Sequence, residues 1–151
     1  MPSNLIAPII SFNFQKSCNL RNRRALKTFL VNIFHHEKKG LSSLSYVFCS
    51  DEYLLDVNQR FLNHDYYTDI ITFDLSDNAR STIGEIYISI DRVRENARSL
   101  DIGFERELHR VIFHGALHLC GYKDKLPRQI KAMRAAEDAC LERYFGEYLA
   151  S

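Results

Sequence analysis

The sequence predicts an α/β fold of the α+β kind, a small mixed sheet of about four strands packed with about five helices in one domain over residues 1–151. Three observations carry this. A length of 151 residues is that of one domain. β-rich stretches come first and then alternate with segments whose apolar residues recur at helical spacing. Residues 82–90 alternate cleanly, with Ile83, Glu85, Tyr87 and Ser89 against Gly84, Ile86, Ile88 and Ile90, as a strand in a sheet requires.

The first strand is residues 9–14, a β-rich and partly alternating run. Asn19 caps a helix over residues 20–36, whose apolar face is Leu26, Phe29, Leu30, Ile33 and Phe34; Gly40 ends it. Residues 44–49 are the second strand. A helix over residues 51–61 follows, capped by Ser50 or Asp51, with Leu54, Leu55, Val57 and Phe61 on its buried side. A polar loop leads into the β-branched run of residues 68–74, the third strand, and residues 82–90 are the fourth. Asp91 caps a helix to Leu100, and Gly103 separates it from a helix over residues 104–119. Pro127 opens a last amphipathic helix that reaches Tyr144 or beyond.

A net charge of +1 sets up no global field that would attract nucleic acid, so any basic patch must be local. One such patch is the segment from Lys16 to Lys39, where Arg21, Arg23, Arg24 and Lys27 cluster and Glu37 is the only acid. It reads either as a solvated helix face or as a surface for a phosphate backbone. The four cysteines, Cys18, Cys49, Cys120 and Cys140, form no C-x-x-C pair, which points to free thiols in a reducing compartment. The first residues lack a basic leader segment, and Pro2 and Pro8 interrupt their apolar run. Apolar runs fall far short of the roughly 20 residues that span a membrane. The expected location is the cytoplasm.

The chemistry-bearing stretch is His114-Gly115-Ala116-Leu117-His118-Leu119-Cys120-Gly121-Tyr122-Lys123-Asp124. Two histidines four apart on a helix share one face, the spacing of a two-histidine metal clamp. Gly121 can take the left-handed conformation, stop the helix and turn the chain back. Asp124 then becomes the nearest candidate for a third ligand, in a pattern H-x3-H-x5-D that leaves one coordination position open. The expected cofactor is one Zn2+ per chain, with harder divalent metals admitted by the oxygen ligand. Cys120, two residues past His118, faces away from the histidine side and reads as core, and His109 reads as structural.

Four stretches in order resemble the YbeY family of bacterial endoribonucleases and rRNA maturation factors. They are Val57-Asn58-Gln59-Arg60-Phe61 leading into Thr68-Asp69-Ile70-Ile71-Thr72-Phe73, then Gly84-Glu85-Ile86-Tyr87-Ile88-Ser89, then residues 107–113, then the histidine string through Tyr122. The resemblance implies a zinc site of three histidines, processing of the 3′ end of small-subunit rRNA, and a part in ribosome quality control. It makes rRNA and the small ribosomal subunit the expected partners; the charge cluster Arg21, Arg23, Arg24 and Lys27 supplies the candidate RNA contacts. Carried over by position, His114 and His118 are ligands, and Asp124 stands where the family has its third histidine. An alternative alignment treats Lys123 as an insertion and leaves Lys125 in the ligand place. Where the family has an arginine after its L-N-x-x-[YF] stretch, this chain has Leu62.

A bound zinc lowers the pKa of its water to about 7 and polarises a phosphoryl oxygen. Gly115 stands where H-E-x-x-H peptidases carry their glutamate, so hydrolysis must use another base, such as a carboxylate across the cleft or a metal hydroxide, and the RNA's own 2′-OH is an alternative nucleophile. Thr68 and Asp69 match the family's cleft wall and read either as substrate-orienting residues or as a turn at a strand end. The competing readings are a ribosome-associated binding factor with a structural metal and a metallohydrolase of another class.

Overall fold

The sheet has the strand order β1-β2-β4-β3. In the computed structural model, which describes residues 6–148, β1 is Ile9–Phe14, β2 Leu41–Cys49, β3 Ile70–Asp74 and β4 Thr82–Ser89. β1, β2 and β4 run parallel, and β3 lies antiparallel against β4 at the edge, so the sheet is mixed as expected. The helices are α1 Arg23–His36, α2 Asp51–Leu62, α3 Ile90–Leu100, α4 Phe104–Leu119 and α5 Pro127–Arg143, with a π-helical turn at Tyr144–Tyr148.

The alternation in β4 divides the molecule. Gly84, Ile86 and Ile88 face the main core, where Phe29 and Phe34 of α1 and Ile112, Phe113 and Ala116 of α4 meet the sheet. Tyr87 faces the other way, into a smaller cluster with Leu54 and Val57 of α2. The fully buried Tyr46 hydroxyl donates to Ile112 O at 2.8 Å, which ties β2 to the middle of α4 and satisfies a polar group that burial would otherwise penalise.

Two glycines let α4 lie against the sheet. A Cβ on Gly115 would sit 2.8 Å from Ile86 Cδ1 and 3.1 Å from Ile70 Cδ1. One on Gly84 would sit 2.4 Å from Leu119 Cδ1. Each glycine takes a neighbour's side chain into the space its own would fill, so the two surfaces approach more closely than side-chain-bearing positions allow. His114 is therefore fixed beside a residue that touches β3 and β4.

Several boundaries differ from the sequence expectation. α1 begins at Arg23 and not at Leu20, because Asn22 takes a left-handed conformation (φ 56°) that a helix cannot run through, while Leu20 is buried in the core. Lys38, not Gly40, supplies the left-handed turn after α1, at φ 59°. β2 starts at Leu41, three residues early, because Leu41 and Ser43 already pair with Thr82 and Ile83. β3 starts at Ile70, so Thr68 and Asp69 precede it. Ser89, not Asp91, caps α3, its hydroxyl accepting from Arg92 N. Phe61 is 69% exposed, since buried Asn58 takes the inward position and donates to Tyr66 O.

The glycine contact predicts that Gly115→Val overpacks the α4–sheet interface and destabilises the fold by about 1–3 kcal/mol. A urea unfolding midpoint lowered with an unchanged slope is the expected outcome; an unchanged midpoint would show that the interface has room.

Candidate functional site

His114 and His118 lie one helical turn apart in the last turns of α4. The helix then stops in a Schellman turn: Gly121 N donates to His118 O at 3.0 Å, Tyr122 N donates to Leu117 O at 3.1 Å, and Gly121 adopts φ 111°. The chain reverses there, as the glycine implies, and Asp124 comes back to His114. Asp124 Oδ2 is 3.2 Å from His114 Nε2. Cys120 packs into the core at 6% exposure.

The other nitrogen of His114 is held from α5. His114 Nδ1 is 2.6 Å from Glu137 Oε2. Glu137 is buried, and Arg110 donates from Nη1 to its Oε1 at 3.0 Å. Arg110 also forms a two-pronged pair with fully buried Glu107. Burial pushes the Glu137 carboxyl up, but the bonds from His114 and Arg110 outweigh it and hold the acid below its usual range. An ionised carboxylate can only accept, so Nδ1 of His114 carries the donated hydrogen and Nε2 is turned to the cleft. Burial pushes His114 down, but Glu137, Asp124 and Asp69 together raise it above the ordinary histidine value.

A cavity of about 290 Å³ brings together Thr68, Asp69, His114, His118 and Asp124. These are the five cleft and ligand residues expected from sequence. Asp69 is pushed up by burial, which outweighs the lowering by Arg110 and His114, and its Oδ2 accepts from Asn96 Nδ2 at 3.3 Å. Thr68 Oγ1 donates to Ile70 O at 3.4 Å. His118 and Asp124 are exposed, so packing locks neither side chain. Among the described residues, no three His, Cys, Asp or Glu side chains stand close enough to hold a metal ion as placed. The donor chemistry suits one all the same, because a histidine whose second nitrogen is bound to a carboxylate is the usual form of a metal-ligating imidazole.

The four cations of the α1 region lie elsewhere. Arg21 pairs with Glu105 at 2.8 Å, at the start of α4, which is about 20 Å along the helix from His118. Arg23 lies over the Phe14 ring and Lys27 over the Phe12 ring, and all four, Arg24 included, are exposed. Leu62 is partly exposed at the end of α2, and Arg60 is bound to Asp56 one turn earlier. His109 is buried, with Nδ1 2.7 Å from Glu105 O and its ring stacked on Tyr144.

Sequence reasoning missed Glu137, Arg110 and Asn96. Glu137 left a readable signal: it is an acid on the stripe Met133, Glu137, Cys140, Leu141, Tyr144 that α5 buries.

The chain matches the family model described as Endoribonuclease YbeY over residues 9–145. This chain belongs to the YbeY endoribonuclease family. A YbeY relative from Cytophaga hutchinsonii is 50% identical over 133 residues, covering 88% of this chain and 93% of that one. One from Porphyromonas gingivalis is 52% identical over 119 residues, covering 79% and 78%. The solution structure of a Thermotoga maritima protein superposes with a TM-score of 0.60 at 28% identity, covering 94% of this chain and 92% of the other. That solved structure shares the fold over nearly the whole of both chains.

The Glu137–His114 pair makes the metal-free protein pH-sensitive in two directions. His114 is raised, so its contribution is full below about 6.5 and fades as pH rises through its folded value. Glu137 is lowered, so its contribution is present above the unfolded carboxyl range and fades as pH falls through its folded value. Glu137→Gln should cost about 1–3 kcal/mol near pH 6 and flatten both limbs. Urea melts of chelator-treated protein across the pH range check this; parallel profiles for parent and variant would remove the pair from the account.

Proposed function

We propose that this YbeY-family chain is a metal-dependent hydrolase that cuts single-stranded RNA, working in the cytoplasm on the 3′ end of small-subunit rRNA and in ribosome quality control. The observation that carries the reading is the convergence of Thr68, Asp69, His114, His118 and Asp124 on one cavity, with His114 Nε2 turned into it by a buried carboxylate. His114 Nε2, His118 and Asp124 would hold one zinc. When bound, zinc supplies a Lewis acid for a phosphoryl oxygen and a water acidified toward neutral pH.

The protein's own groups divide the remaining work. Glu137 and Arg110 keep the His114 imidazole in one tautomer and one orientation. Asp69, held above the usual carboxylate range by burial, lies in the same cavity and takes the proton from the attacking water or the RNA 2′-OH at its carboxylate. Asp124 in the third ligand place gives the site one positive charge fewer than three histidines would. The exposed cations Arg21, Arg23, Arg24 and Lys27 engage phosphates remote from the cut in this reading. No helix among the described residues is long and apolar enough to cross a membrane.

Chelator-treated protein should take up about one zinc per chain and cleave single-stranded RNA only when reloaded. His118→Ala should abolish both. Asp124→Ala should lower zinc affinity well beyond the 10–100-fold typical of residues behind the ligands, while Asp124→His should retain binding. Competition titrations against a chelator and gel assays on rRNA fragments give the readout, with casein as a second substrate. Cleavage that survives chelation, or cleavage of casein alone, would overturn the assignment; zinc uptake without any cleavage would favour a binding factor.

A further inference from the structure

A second, larger cavity adjoins His118 and Asp124. It has a volume of about 570 Å³, within the roughly 300–1,000 Å³ range of small-ligand pockets. It shares His118 and Asp124 with the 290 Å³ cavity and is completed by Tyr122, Lys123, Lys125, Leu126 and Gln129 from the α4–α5 loop and the start of α5. We propose that this cavity is a subsite for the nucleotide next to the scissile phosphate, with Lys123 and Lys125 as its phosphate clamp and Tyr122 and Leu126 as its base platform. The inference rests on the RNA-cleaving reading above and names how that site holds its substrate.

Charge and shape both select this occupant. Lys123 and Lys125 flank Asp124 directly, so each cation is one residue from the proposed ligand. Both are exposed, and neither forms an ion pair among the described residues. The 290 Å³ cavity carries Asp69 and no lysine or arginine among the described residues, and a further cavity beside His114 and Asp124 offers Arg110 and Arg134, both already paired with Glu137, so the cations open to a polyanion crossing the site are the two loop lysines. Leu126 is 49% exposed at the rim, an apolar side chain with a face to give to a base. The Tyr122 ring is anchored, since its hydroxyl donates to Glu37 Oε2 at 3.3 Å. Stacking of bases on such side chains together with cations on the backbone is how single strands are held without sequence preference. The loop itself is fixed: Gln129 Oε1 accepts from Lys125 N at 3.2 Å and from Leu126 N at 3.0 Å. The lysines also return positive charge to a site in which a carboxylate replaces an imidazole.

The test uses a fluorescein-labelled, fully 2′-O-methylated single-stranded RNA, which blocks attack by the 2′-OH, and a gel after each titration checks that water has not cut the probe, so that binding is the readout. Anisotropy titrations at salt concentrations between about 50 and 200 mM give the log–log slope. For the Lys123→Ala/Lys125→Ala protein the slope should fall by about 1.4, two phosphate contacts at roughly 0.7 each for a single strand. The Lys123→Arg/Lys125→Arg protein, which keeps both charges, should restore it with zinc affinity unchanged. A fall smaller than about 0.7, less than one contact, overturns the subsite. The two readings fail separately. A parent that cleaves RNA with metal while the slope stays put loses the subsite and keeps the nuclease; a slope that falls in a chain without metal-dependent cleavage does the reverse.

Discussion

The site depends on one buried carboxylate. Glu137 reaches from α5 to His114 Nδ1 and receives Arg110 on its other oxygen, and Arg110 in turn is gripped by Glu107. Removing so many charges from water is expensive, and an ion pair of this kind roughly breaks even against a well-packed apolar replacement. Its return is geometric. The network fixes which nitrogen of His114 faces the cleft and holds α5 on α4. It thereby sets where the connecting loop can lie, and that loop carries Asp124.

The scaffold beneath is as constrained as the network above. α4 lies on β3 and β4 through Gly115 and across from Gly84, with Tyr46 bonded to its middle turn. A helix seated this closely cannot rotate without driving Ile86 or Leu119 into backbone. The histidine face is therefore aimed by apolar packing, and Glu137 selects the tautomer of His114. Layer by layer, β4's alternation chooses the face, the glycines choose the distance, and Glu137 chooses the nitrogen.

Local signals made much of this legible in the sequence. The alternation of residues 82–90, the apolar spacing of α1, the H-x3-H pair and the stop at Gly121 each act over a few residues, and each marks its element. Where the decisive contact was remote, the sequence said less. The start of β2 turned on pairing with Thr82 about forty residues later. Phe61 was assigned to the core by periodicity, yet Asn58 is the residue that turns inward, to hold the loop at Tyr66. Glu137 stands 23 residues from His114, and only its place on α5's buried stripe hinted at a partner.

Whether Asp124 is a true ligand decides between a complete three-ligand centre and two histidines beside a loop acid. Zinc K-edge X-ray absorption on the reconstituted protein reads this directly. The account predicts two imidazole nitrogens at about 2.0–2.1 Å and a carboxylate oxygen at about 2.0–2.2 Å, with the oxygen contribution lost in Asp124→Ala and a third imidazole gained in Asp124→His. A sulfur scatterer at about 2.3 Å, or a spectrum indifferent to both substitutions, would contradict it.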